Sequence, residues 1–494
     1  MHMKKCLNWA TVLIAFATLV TFLPLSACTV TDDPSKDQME TTIQTETPPV
    51  QTTTQETTDE DFPEGEPAMQ YDYSFGTGPE KILLWSFSDD EFKMVGQYIK
   101  QNPEFGKKYT VNGVIISDSD SKYDEALGNA LVAGGDLAPD IYVVKEPYIT
   151  QYAQGEFAKY ASTYKDLGID VDTRIKEAEI APYSVEAGTY NGEVVALSYL
   201  SSACVMIYNS EIAKAVFGTD DPAEIEKIVG AGSGDWDKFM KAAAKLKEKG
   251  YAAVSGPSDL WNGCEKSADT PWIVDGEINI DPKREKYLDL SKTITEKGYS
   301  NSTSIWTQEW YEDMRGGGSK KVFAFFGPTW LINGLMTARS GGLYGKWRAC
   351  TPPVCSYWNG IWLFANKDTK HKEGVAELLE WITLDTSETG LQYLWANGLV
   401  DWDNDSSTVT NKEAVASSVV MAKSDGSSDF FGGQDIFPAV IASNKYASAK
   451  AISQYDEYCS HALMNASLRY SFGKIKRAEA IEEFKKEVED YFSL

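Results

Sequence analysis

Between Thr29 and Pro67 the chain has almost nothing to bury. Thr, Glu, Asp, Gln and Pro dominate, so burial cannot offset the entropy of folding and the stretch is expected to stay disordered. The core must form from the roughly 425 residues beyond it, which is more than one hydrophobic core serves, so two lobes are expected. Eleven carboxylates against Lys36 put −10 on the stretch, the composition of a solvated tether that holds a domain off a surface. With +2 from Lys4 and Lys5, this leaves −19 of the total −27 on the remainder. A field of that sign repels a phosphate backbone, which excludes nucleic acid as a partner.

The start of the chain has its own layout: Lys4 and Lys5, an apolar run from Trp9 to Leu23, then Leu25, Ser26, Ala27 and Cys28. A charged start, a short apolar stretch and small residues are the parts of a secretory signal peptide. The run is shorter than the roughly 20 residues a membrane span needs and is broken by Thr21 and Pro24. Small residues before a cysteine resemble the lipobox of bacterial lipoproteins. The resemblance implies that residues 1–27 are removed, that Cys28 receives lipid, and that residues 28–68 tether the folded part to the outer face of the cell membrane. Beyond Cys6 and Cys28, five cysteines remain. Cys350 and Cys355 are close enough in sequence for a small disulfide, and two free thiols are an equal alternative.

In the folded part, Lys81 to Trp85 is a short apolar run of the buried-strand kind, Val111 to Ser117 a second strand, and Pro139 to Val144 a third. Helical patterns lie between them, Tyr123 to Leu131 among them. Strands alternating with helices argue for a parallel α/β architecture. Asp235 stands where an N-cap belongs, ahead of Trp236, Phe239, Met240, Ala243 and Leu246 at helical spacing, with Gly250 as the stop. Asp368 or Thr369 caps a helix with Val375, Leu378, Leu379 and Ile382 on one stripe. A terminal helix turns Ile481, Phe484, Val488 and Tyr491 inward.

Chemistry-bearing motifs are scarce. Gly230, Gly232 and Gly234 miss the dinucleotide spacing, follow a helical stretch (Glu224 to Val229) and precede Asp235, whose charge opposes a phosphate, so they read as a turn. Beyond residue 28 the histidines are His371 and His461, far apart and set among surface-type residues, which makes a serine or cysteine triad or a zinc site hard to build. No carboxylate pair stands out among 73 acids for glycosidase chemistry. Tryptophan is more telling. Trp85, Trp261 (with Asn262 and Gly263), Trp330 (after Gly327 and Pro328) and Trp358 (before Asn359 and Gly360) stand outside smooth amphipathic stripes. Flat rings stack on the apolar faces of sugars while Asp, Glu, Asn, Gln and Arg pair with hydroxyls. Core packing is the competing reading for each.

Four stretches are similar to the family 1 bacterial extracellular solute-binding proteins, the group that includes the maltose-binding protein: Asn191–Tyr199 running on to Asn209, Val322–Trp330, Trp358–Asp368 and Phe430–Asp435, with Pro139–Ile141 in addition. They cover the chain from about Lys81 onward and occur in the family's order. The resemblance implies an α/β, two-lobed periplasmic-binding-protein-like fold of the class II type. Two or three crossing segments would join lobe 1 (69–200 and 353–399) to lobe 2 (201–352 and 400–494), and the lobes would close by a hinge on a carbohydrate held between them.

The resemblance also implies a set of ligand contacts. Trp85 and Asp89 fall at the end of the first strand, Glu146 and Tyr148 after the Pro139 strand, and Tyr199 and Ser202 at the crossing. Trp330 closes the Gly327 turn, Trp358 and Asn359 match a Trp-Gly-Gly element, and Gln434 and Asp435 face the cleft from the second lobe; Trp261 joins these as an aromatic candidate. Asn359 replaces the first glycine of its element, and the acid-rich set that reads maltose is not reproduced, which argues against malto-oligosaccharide specificity. Further expectations are a monomer with no cofactor and no metal, permease subunits of an ATP-driven importer as partners, and no covalent chemistry. Rival readings are a peptide or polyamine binder, a surface glycosidase and an adhesin.

Overall fold

A computed structural model describes residues 71–118, 121–146, 148–400 and 411–494. The signal-type start, Cys28 and the acidic stretch lie outside the described residues.

Two sheets carry the fold. The first holds β1 (Tyr73–Gly76), β2 (Glu80–Ser86), β3 (Tyr109–Ile115), β4 (Ile141–Lys145), β5 (Ala196–Leu197) and, much later in the chain, β9 (Ile361–Ala365), in the order β1-β3-β2-β4-β9-β5. The second holds β6 (Val205–Asn209), β7 (Ala324–Gly327) and β8 (Trp347–Cys350), ordered β7-β6-β8. β2 pairs in parallel with β3 and β4, as the strand–helix alternation predicts. Elsewhere the parallel pairing expected from that alternation gives way: β1, β5 and β9 pair antiparallel, and so does the whole second sheet. β9 re-enters from the second sheet and therefore runs against β4.

Ile82, Leu83, Leu84 and Trp85 are all buried, and so are Ile141 to Val144, because these inner strands are covered on both faces. In the second sheet the alternation of side chains divides two cores. Val205, Ile207, Phe325, Trp347 and Ala349 point into one apolar cluster, whereas Met206, Tyr208, Ala324, Phe326 and Cys350 point into the other.

The helices follow their stripes with shifted ends. Helix Asp237–Glu248 buries Phe239, Ala243 and Leu246, but its N-cap position is Trp236. The Asp235 carboxylate accepts from the Asp237 amide at 2.9 Å, closing a turn one residue early. Helix Lys372–Thr383 buries Val375, Leu378, Leu379 and Ile382 completely, yet starts after both expected caps. The Thr369 hydroxyl donates to Asp140 at 2.6 Å and accepts from the His371 amide at 3.2 Å, which delays the helix. In helix Arg477–Phe492, Phe484 and Val488 are buried but Tyr491 is 43% exposed, because the last turn overruns the core and stacks on Tyr458. Gly230, Gly232 and Gly234 all adopt positive φ after helix Pro222–Val229, the turn expected of them.

Candidate functional site

Three extended segments lie side by side where the chain passes between the sheets. Ala203 pairs with Tyr357 and Leu200 with Val415. The Cys204 amide donates to the Ser356 carbonyl at 2.8 Å and the Trp358 amide to the Ser202 carbonyl at 2.9 Å. Segment 198–204 leads from β5 to β6 and segment 351–360 from β8 to β9, so Trp358 and Asn359 sit on a connection between the sheets.

The aromatic part of the site is built here. Trp330, at the start of the helical run after β7, donates its indole N–H to the Trp358 carbonyl at 3.1 Å. The two rings meet edge to face with centroids 5.3 Å apart, and both side chains are half-buried. A third indole, Trp306, lies nearly parallel to Trp330 (8°, 6.5 Å) and tilted against Trp358 (58°, 5.7 Å). Trp306 is 50% exposed. Asn359 is exposed and takes φ +64, and its own side chain accepts from the Gly360 amide at 3.0 Å.

The polar part adjoins it. The Glu146 amide donates to the Gly360 carbonyl at 3.1 Å, which sets the Glu146 carboxylate beside the Trp358 segment. That carboxylate faces Lys266 at 2.5 Å, and the same ammonium meets Asp456 at 3.6 Å and Glu265 at 3.9 Å, and lies over the Tyr357 ring at 5.6 Å. Burial alone would lower the Lys266 pKa, yet Glu146 and the other anions hold its ammonium well above the usual lysine range. Burial, countered in part by Lys266, pushes Glu265 up to about 7.

At the end of β2 lies a separate buried acid. Glu91 accepts from Ser86 at 2.7 Å, Ser88 at 3.0 Å and Tyr199 at 2.9 Å, and burial raises its carboxyl above the ordinary range. Asn333, beyond Trp330, donates to Glu413 at 2.7 Å, and burial raises Glu413 as well.

The expected residues therefore fall into groups. Trp330, Trp358, Asn359 and Glu146 are brought together, with Ser202 beneath them as a backbone partner of Trp358. Tyr199 is buried, stacks on Trp395 and gives its hydroxyl to Glu91. Trp85 is buried with its indole nitrogen unpartnered, and Asp89 pairs with Lys93 at 2.9 Å. Tyr148 is half-buried with its hydroxyl 2.9 Å from that of Ser121. Trp261 packs edge-on against Tyr287 in the second core and donates to Ser460 at 2.7 Å, apart from the three-indole cluster. Gln434 spends its amide on both backbone groups of Ala349, and Asp435 accepts from the Phe437 amide at 3.0 Å. Sequence reasoning missed Trp306, Lys266 and Glu91. A tryptophan amid serines and threonines was a usable signal for the first; nothing local distinguishes the other two. Among the described residues no group of three or more potential ligands is placed to hold a metal, and no helix is long and apolar enough to cross a membrane.

The model of the family described as bacterial extracellular solute-binding protein matches residues 95–388. No curated protein matches the sequence. Among solved structures, an extracellular solute-binding protein family 1 member superposes with TM-score 0.66 at 15% identity, over 83% of this chain and 99% of the other. The sugar-binding protein MalE from Xanthomonas citri gives 0.61 at 14% identity, over 83% and 96%. The galacto-N-biose-/lacto-N-biose I-binding protein from Bifidobacterium longum, in complex with lacto-N-biose, gives 0.57 at 16% identity, over 85% and 99%. These likenesses establish a two-lobed solute-binding fold.

Proposed function

The chain belongs to the bacterial extracellular solute-binding protein family, and we propose that it captures a mono- or oligosaccharide between its lobes for an ATP-driven importer. The observation that carries this reading is the pair of half-buried indoles Trp330 and Trp358, set where the chain passes between the two sheets. The pair offers flat apolar surface, with the exposed Asn359 alongside to pair with hydroxyls. The sugar-binding protein MalE and the lacto-N-biose complex among the similar structures support the choice of ligand class. The separation of β1–β5 and β9 from β6–β8 supports lobes at 69–200 with 353–399 and at 201–352 with 400–494.

Capture on this reading is reversible. The guest binds one lobe, contacts to the other stabilise the shut state, and no bond is made or broken. Cys28 anchors the protein by lipid to the outer face of the cell membrane, residues 29–67 give it reach, and permease subunits receive the guest from a monomeric binder.

Calorimetry of the purified protein against a panel of neutral sugars tests the reading. A sugar is expected to bind and to be recovered unaltered, and Trp330→Ala with Trp358→Ala is expected to weaken binding about 10- to 100-fold, two indole contacts being removed. Spermidine or a peptide binding in place of sugars, or release of reducing ends from an oligosaccharide, overturns the carbohydrate assignment. Undiminished binding by the double variant overturns the site.

A further inference from the structure

Trp306 is held in a backbone conformation that its residue type rarely takes. Its backbone takes φ +67, the left-handed region, where a Cβ is crowded and a bulky side chain is rare. The loop that carries it is fastened to the segment before helix Trp261–Glu265. The amides of Asn301 and Thr303 donate to the Ser255 carbonyl at 3.0 and 3.3 Å, the Ser255 and Thr303 hydroxyls lie 2.5 Å apart, and the Ile305 amide donates to the Ser258 hydroxyl at 3.2 Å. The loop packs so closely that a Cβ on Gly256 would lie 1.8 Å from the Thr303 carbonyl oxygen. On the far side, Trp310 is buried and donates to Asp259 at 2.9 Å. A rigid, doubly fastened loop in an unfavourable conformation thus displays an indole that is 50% exposed, while its neighbour Trp310 is buried.

The ring's orientation gives that display a direction. Trp306 is within 8° of parallel to Trp330, stacked on it with centroids 6.5 Å apart, and lies tilted against Trp358, so it adds a third ring face to the aromatic cluster. Trp306 is the most exposed of the three indoles, so a guest that extends outward past Trp330 and Trp358 meets it. Strain held by surrounding structure at an exposed aromatic is a mark of a binding position.

We infer that Trp306 is a further ligand-binding residue, an outer platform that stacks the second ring of an oligosaccharide whose first ring lies on Trp330 and Trp358. The inference rests on the carbohydrate reading above and narrows it from sugars in general to chains of two or more rings.

Trp306→Gly and Trp306→Phe decide it. Glycine adopts positive φ freely, so Trp306→Gly removes the platform and relieves the strain together. Calorimetry on the whole protein is expected to show that the best-bound neutral di- or trisaccharide weakens about tenfold in Trp306→Gly. Its constituent monosaccharide is expected to change less than about twofold, Trp306→Phe to keep most of the affinity, and the melting temperature of Trp306→Gly to be unchanged or higher. Equal affinity for the oligosaccharide in wild type and Trp306→Gly overturns the inference, as does equal weakening of mono- and oligosaccharide, or a marked fall in melting temperature that gives Trp306 a packing role. A wild-type protein that binds monosaccharides alone overturns it while leaving the carbohydrate reading standing. A wild-type protein that binds no sugar overturns both.

Discussion

The ammonium of Lys266 lies 2.5 Å from the carboxylate of Glu146, tying the end of strand β4 to the segment that follows helix Trp261–Glu265. Both side chains are close to fully buried, and the Lys266 ammonium also serves Asp456 and Glu265. An ion pair of this kind costs desolvation to form and leaves an uncompensated charge when one partner is removed. The two partners are therefore unequal.

Lys266→Met strands three buried carboxylates, so it is expected to destabilise the protein by about 3–5 kcal/mol. Glu146→Gln leaves the ammonium with Asp456 and Glu265 and an amide oxygen still able to accept, so its cost is expected to be smaller. Urea denaturation of the two variants checks the ranking; the reverse order would show that Glu146 is what Lys266 chiefly exists to hold.

Burial raises the Asp124 carboxyl to about 7, with Glu457 adding to the shift, and one carboxylate oxygen has no partner. A carboxyl with a raised folded pKa holds its proton more tightly when folded. Its stabilising contribution is complete below the unfolded value near 4 and is lost as pH rises through about 7. Asp259, also about 7, acts in the same direction. The melting temperature is expected to rise by a few degrees from pH 8 to pH 5, and Asp124→Asn to flatten part of that rise. A rise of the same size in Asp124→Asn would remove Asp124 as its source and leave it to Asp259 and the net charge of −27.

Cys204, Cys264, Cys350, Cys355 and Cys459 are buried thiols, and burial pushes Cys355 up to about 11 and Cys204, Cys264 and Cys459 to about 12. Thiols of that kind react slowly because so little thiolate is present. The native protein is expected to leave all five unlabelled by a thiol reagent, and unfolding without reductant to expose all five. Three exposed thiols in place of five would reveal the Cys350–Cys355 disulfide that their spacing permits.

Strand β2 and the stripe of helix Lys372–Thr383 were legible because each depends on neighbours within a few residues: a run of Ile82 to Trp85, or a 3.6-residue period. Helix starts were less so. Thr369 looks like a cap and is one hydrogen bond away from being so, but Asp140, 229 residues earlier, takes its hydroxyl. In the aromatic cluster, Trp330 and Trp358 were visible from their Gly, Pro and Asn neighbours, whereas Trp306 sits in a Ser/Thr loop whose rigidity comes from Ser255 and Ser258.

The order of residues by itself determined the alternation of strands and helices, the acidic character of the whole chain and the motifs that run in the family's order. These are properties of composition and short-range period, which survive in any conformation. Only tertiary structure decided which indoles stay in reach of solvent, that one lysine would answer three acids, and that Tyr199 would close on Glu91. Those facts depend on residues distant in sequence being packed against each other, 28 positions for Trp330 and Trp358 and 108 for Tyr199 and Glu91, and no local pattern encodes which distant partner arrives.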